Sequence, residues 1–140
     1  MKKTLMILTP HMSTGGCPQV VAKKVETLKD YYNIVCVEWE CIAWSYVVQR
    51  NRVINMIGNN FISLSENKEY DLFNIIEDTN PDYIMIEEIA ETFVPNHILK
   101  RLYSTNRTYK IVETTHSSHS RPSQKRFLPD KFVFVSPFSA

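Results

Sequence analysis

The sequence predicts a single α/β domain, residues 1–140, built on a doubly wound, mostly parallel sheet of about six or seven strands. Three observations carry that reading. Short apolar runs without polar interruption recur along the chain, as strands buried on both faces require. Stretches with apolar residues at helical spacing stand between them, and the links joining the two kinds of segment are short. Alternation of this kind gives helices on both faces of a parallel sheet, with right-handed crossovers.

Thr4 to Thr9 is the first strand, closed by Pro10. Ser13-Thr14-Gly15-Gly16 then turns the chain into a helix reaching Leu28, with Pro18 in the first turn, where its missing N–H costs no hydrogen bond. Val21, Val25 and Leu28 give this helix an apolar face, and Lys23, Lys24 and Thr27 are assigned to the other side. Tyr32 to Val37 is the second strand, completing a βαβ unit. The stretch from Glu38 to Asn60 has no clear period; Tyr46-Val47-Val48 and Arg52-Val53-Ile54 read as a hairpin about Arg50-Asn51. Phe61 to Leu64 is a third strand, followed by a helix capped by Ser65 or Asn67, carrying Leu72, Phe73, Ile75 and Ile76, and ended by Asn80-Pro81. Tyr83 to Ile86 is the fourth strand, Pro95 to Tyr103 a helix, and Lys110 to Thr114 the fifth strand. A polar loop from Thr115 to Arg126 leads to the sixth, Phe132 to Val135.

Composition narrows the function. With 44% apolar and 11% aromatic residues the chain can bury an ordinary core, and disorder is not expected. A net charge of +1 leaves no broad field to hold nucleic acid or an anionic membrane, so an anionic ligand must be bound locally. Cys17, Cys36 and Cys41 are an odd set without CxxC spacing, which argues against a disulfide framework or a zinc site and for a reducing compartment. The first apolar run is too short for a signal peptide, and no stretch approaches the roughly twenty apolar residues that span a bilayer. A cytoplasmic protein is expected, with membrane contact at most peripheral.

Ligands of doubly wound sheets bind beyond the carboxyl ends of the strands, so candidate site residues should follow strands. Gly15 and Gly16 do. They can present backbone N–H groups and a helix N-terminus to an anion, or they can be a tight turn needing positive φ. The pattern is neither GxGxxG nor GxxxxGK[ST], which disfavours a Rossmann cofactor site or a P-loop. His116 follows the fifth strand, with Ser117 beside it in the same polar loop; a neutral imidazole there can hydrogen-bond a sugar hydroxyl, or it can be an ordinary loop histidine. The spacing of His116 and His119 is weak support for a metal, and none is expected. Glu87 and Glu88 end the fourth strand, where they can orient a hydroxyl, act as a base, or simply solvate a strand end. Arg121, Lys125 and Arg126 can attract a phosphate or be a solvated loop, and Trp39, Trp44 and Tyr46 can stack on a sugar or fill the core.

Taken in order, four segments resemble one family. Thr4 to Gly16 looks like the opening strand and glycine loop of family-four retaining glycosyltransferases of the GT-B fold. Pro81-Asp82-Tyr83-Ile84 resembles that family's lead into a central strand, Thr115-His116 its histidine after the next strand, and Val135 to Ala140 its serine-containing turn. The resemblance implies a Rossmann-like N-terminal, acceptor-side lobe of a two-lobed enzyme that moves a sugar from a nucleotide donor to a glycan, lipid or other acceptor. It implies Gly15 and Gly16 near the donor diphosphate or acceptor, His116 positioning the sugar, and no cofactor beyond the nucleotide-sugar substrate. Where the family often has histidines after the Pro-Asp lead, this chain has Met85 and Glu87. The family's nucleotide-binding lobe falls outside residues 1–140, so these residues alone are expected to be inactive and to need that lobe or a separate subunit.

Two alternatives keep the fold and change the function: a non-catalytic scaffold whose crevice docks a partner or a second copy, and a small flavodoxin-like module for a phosphorylated ligand.

Overall fold

The computed structural model describes residues 2–13, 16–41, 48–116 and 125–134. Six strands, β1 (Lys3–Thr9), β2 (Tyr32–Glu38), β3 (Phe61–Ser63), β4 (Tyr83–Glu87), β5 (Lys110–Thr115) and β6 (Lys131–Phe134), form one sheet in the order β3-β2-β1-β4-β5-β6. Every neighbouring pair is parallel. The helices are α1 (Gly16–Leu28), α2 (Val48–Ile57), α3 (Lys68–Thr79) and α4 (Asn96–Leu102).

The two-residue period of a strand sorts the core into two layers. Met6 and Leu8 of β1 point to one side with Val35, Val37, Ile84, Ile86 and Ile111, where Leu72 and Phe73 of α3 and Ile98, Leu99 and Leu102 of α4 cover them. Leu5 and Ile7 point to the other with Ile34 and Cys36, under Val21, Ala22 and Val25 of α1 and Val53 of α2. Helices on both faces make this a Rossmann-like, doubly wound domain. The chain builds outward from β1 through β2 to β3, then returns to the other side of β1 for β4, so loops diverge at the carboxyl ends of β1 and β4. A divergence of that kind opens a crevice.

The expected hairpin is corrected. Val48 to Ile57 is helical, and Arg50 and Val53, three residues apart, form its buried side. An arginine on the inner face disguised the helical period. Arg50 is held inside by Glu38 of β2, with Nη2 to Oε2 at 2.6 Å and Nε to Oε1 at 3.2 Å. The same carboxylate accepts the Met12 N–H at 2.6 Å, which fixes the chain leaving β1 against the end of β2. Tyr46 and Val47 lie outside the described residues.

At the far side, Asp130 takes the place of a ladder residue before β6. Its Oδ2 accepts the Ile111 N–H at 2.7 Å and an Arg107 N–H at 3.1 Å. The Ile111 N–H first, then Arg107, hold this carboxyl below the usual range against a smaller opposing effect of burial. Asp130→Ala is therefore expected to cost about 1 kcal/mol in urea denaturation near neutral pH. The loss should shrink in acid, because a carboxylate with a depressed pKa contributes above its unfolded value and ceases to contribute as pH falls through the folded one.

Candidate functional site

β1, β4 and β5 end side by side, and the residues beyond them meet α1. Lys24 of α1 is where sequence reasoning errs most. Assigned to the outer side, it in fact occupies the i+3 position of the stripe Val21-Lys24-Val25-Leu28 and turns inward. Its ammonium donates to both oxygens of Glu87 at 2.9 Å and to the Thr114 hydroxyl at 2.9 Å, with the Met85 sulfur at 3.5 Å. Three donors are thus occupied by three oxygens.

Glu87 is completely buried. Besides Lys24, its Oε1 meets Nε2 of His116 at 3.1 Å. Any effect of Glu87 on a ligand therefore passes through Lys24 and His116. Glu88 is half-buried and adopts φ 79°, a left-handed backbone that non-glycine residues seldom take. Two bonds hold it there: its N–H donates to the Thr114 carbonyl at 2.7 Å, and its Oε1 accepts the His116 N–H at 2.9 Å. Backbone strain held by several partners is a recurring mark of functional turns.

His116 is clamped at backbone and ring together. Burial alone would push its pKa down, but the Cys17 thiol and the Glu87 carboxylate outweigh burial and hold it at about 9. That raised pKa favours a charged ring at neutral pH. Cys17 brings the first turn of α1 to this ring, with its sulfur 3.9 Å from the Thr9 hydroxyl. Gly16 precedes it. Its φ lies outside the left-handed region, and a Cβ built on it would meet nothing within 4 Å. Among the described residues, neither backbone conformation nor packing requires glycine at position 16. Gly15, Ser117, His119 and Arg121 lie outside the described residues.

Two further expectations change. Lys125 has no exposed side-chain surface: it donates to Glu91 and, at 2.7 Å, to Glu113 Oε1, which also accepts the Tyr103 hydroxyl. A buried, paired ammonium cannot attract a phosphate, which leaves Arg126 as the exposed member of that group among the described residues. Trp39 is core, edge-on to Phe93 with ring centroids 6.0 Å apart. Trp44 and Tyr46 lie outside the described residues.

His11 was not singled out from the sequence, yet it sits on the same rim, its Nδ1 2.9 Å from the Ser13 hydroxyl. Its position directly after β1 was the available signal. An open depression of about 700 Å³ at the opposite edge, lined by Lys2, Lys3, Asp30, Tyr31 and Tyr32, lies at the amino ends of β1 and β2, the wrong edge for a ligand of this fold. Among the described residues no three His, Cys, Asp or Glu side chains gather as metal ligands, and no helix is long and apolar enough to cross a membrane. The chain matches no protein-family model and no curated protein.

Proposed function

We propose that the crevice at the ends of β1, β4 and β5 binds a nucleotide sugar and its acceptor, and that this chain is the acceptor-side lobe of a GT-B sugar transferase acting with retention. One observation carries the reading: the His116 ring, held on Glu87 at 3.1 Å beyond β5, stands at the same strand ends as the Cβ-free first turn of α1, and its pKa is raised. The turn offers backbone N–H groups and the positive end of a helix dipole to a diphosphate, and the ring offers a charged donor to a sugar hydroxyl or leaving oxygen. Glu87 and Lys24 set the ring's position, and Glu88 fixes its backbone. Basic groups of a nucleotide-binding lobe complete the donor site, so residues 1–140 bind without turnover. The resemblance of Thr4 to Gly16, Pro81 to Ile84 and Thr115-His116 to family-four glycosyltransferases supplies the sugar chemistry.

Titration of the purified chain with UDP-glucose and GDP-mannose, followed by calorimetry, tests this. Gly16→Val is expected to weaken binding about tenfold or more while leaving the unfolding free energy within about 0.5 kcal/mol of wild type, since a Cβ there meets nothing within 4 Å among the described residues. Equal binding by the variant would contradict the reading. Self-association without sugar-nucleotide binding would favour a scaffold, and flavin binding indifferent to sugar a flavodoxin-like module.

A further inference from the structure

A second cluster of charged side chains lies on the other face of the sheet. Glu113 of β5 stands in register with Ile86, so its side chain enters the layer under α3 and α4, and it has no exposed surface. Its Oε1 accepts the Tyr103 hydroxyl and, at 2.7 Å, the Lys125 ammonium. Its Oε2 is buried and meets no donor among the described residues. Lys125, without exposed side-chain surface, also donates to Glu91 Oε1. The second Glu91 oxygen accepts the Arg126 N–H at 2.8 Å and the Phe127 N–H at 3.2 Å. Two carboxylates, one fully buried and the other nearly so, thus face one ammonium, and one negative charge is left over.

We propose that this cluster is a one-proton latch: a proton on Glu113 balances its charge and tightens the hold of Lys125 and Glu91 on the chain leading into β6. A carboxylate oxygen without a donor is costly in the interior, its neutral acid far less so, and the bare Oε2 is the place for the proton. With Glu113 neutral, Lys125 pairs with Glu91 alone, and Glu91 keeps both backbone amides. Burial pushes the Glu113 carboxyl up and outweighs Lys125 and Tyr103, which pull it down. Burial would raise Glu91 too, but Lys125 and the amides of Arg126 and Phe127 outweigh it there and hold that carboxyl below the usual range. The two acids therefore titrate apart, Glu113 first as pH falls. Among the described residues the groups facing Glu113 are Lys125, Tyr103 and Glu91, with Arg107 on the Tyr103 carbonyl; its register neighbours Ile86 and Phe132 carry no charge. A carboxyl raised on folding costs stability above its folded value, and the cost disappears as pH falls through that value. Mild acid therefore fastens residues 125–127 more firmly than neutral pH. Glu88, in the same turn as Glu91, holds His116 at the other stem of the β5–β6 connection, so the latch acts on a connection that borders the crevice. The inference does not depend on the sugar reading.

The test is carboxyl carbon NMR of the purified chain from about pH 8 to about pH 4, read together with the amide resonances and hydrogen exchange of Arg126 and Phe127. Glu113 is expected to titrate above the ordinary glutamate value of 4.5. The two amides should shift with the same midpoint and gain severalfold protection below it, once the intrinsic pH dependence of exchange is removed. In Glu113→Gln both amide responses should vanish, because the side chain stays uncharged throughout. If that variant does not fold, Tyr103→Phe takes its place: with one donor fewer on the carboxylate, Glu113 and both amides should titrate together at a higher pH than in wild type. A Glu113 midpoint at or below 4.5, amides that do not move with it, or amide responses left unchanged by the folded variant overturns the proposal.

Discussion

Lys24→Met is expected to destabilise the domain by about 3 kcal/mol. Exposed ion pairs contribute at most about 1 kcal/mol, but this pair belongs to the other regime. Glu87 has no exposed side-chain surface and Lys24 only 22%. Methionine keeps the length and apolar stem of lysine, so packing under β4 survives while the carboxylate loses the donor to both its oxygens. Among the described residues, what remains is a buried anion supported by His116 alone. Lys24→Met combined with Glu87→Gln should recover part of the loss, because the unpaired charge is then gone. Urea denaturation of the single and double variants measures both, and a single-variant loss below about 1 kcal/mol would mean that Glu87 is solvated in a way its burial denies.

The second large effect is one of pH. His116 has an unfolded pKa near 6.5 and a folded one of about 9. A base whose pKa is raised on folding contributes fully below the unfolded value and loses that contribution as pH rises through the folded one. The window is therefore pH 6.5 to 9. Because the ring stands at the mouth of a crevice where solvent screens part of the interaction, the loss across the window is expected to be about 2 kcal/mol rather than the larger full conversion. Among the described residues the groups facing the ring are Glu87, Cys17 and, at its backbone, Glu88, with Lys24 behind Glu87. The diagnostic quantity is the difference between wild type and His116→Gln in denaturation series at the two ends of the window. Parallel pH dependence in the two proteins would show that His116 is not held as an imidazolium.

Much of the fold could be read from apolar runs. Strands such as Thr4 to Thr9 and Tyr83 to Ile86 are buried on both faces and leave an uninterrupted signal that needs no tertiary information. Asn80, left-handed at φ 44° with its N–H on the Ile76 carbonyl, ends α3 just where Asn80-Pro81 predicts a stop. The failures share a cause. Lys24, Arg50 and Lys125 are cations that sequence reasoning places at the surface or in loops, and all three turn inward to a buried glutamate: Glu87 on β4, Glu38 on β2 and Glu113 on β5. Residue type argues for exposure, and only the strand pairing that brings those glutamates to one edge reverses it. Likewise His116 and the Gly16 turn were legible as two features that follow strands, whereas their meeting through Cys17 depends on sheet order. The left-handed backbone of Glu88 has no sequence signature at all.

A domain that buries three ion pairs beneath one edge of its sheet is spending stability where an apolar core would serve as well, and departures of that kind concentrate at working surfaces. The most direct test is a two-dimensional amide NMR titration of the chain with UDP-glucose and GDP-mannose. Resonance shifts confined to Gly16, Cys17, Glu88 and His116, and absent in Gly16→Val, are the expected result. Shifts that leave those residues still and gather instead at Lys3, Tyr31 and Tyr32, on the opposite edge of the sheet, would contradict it.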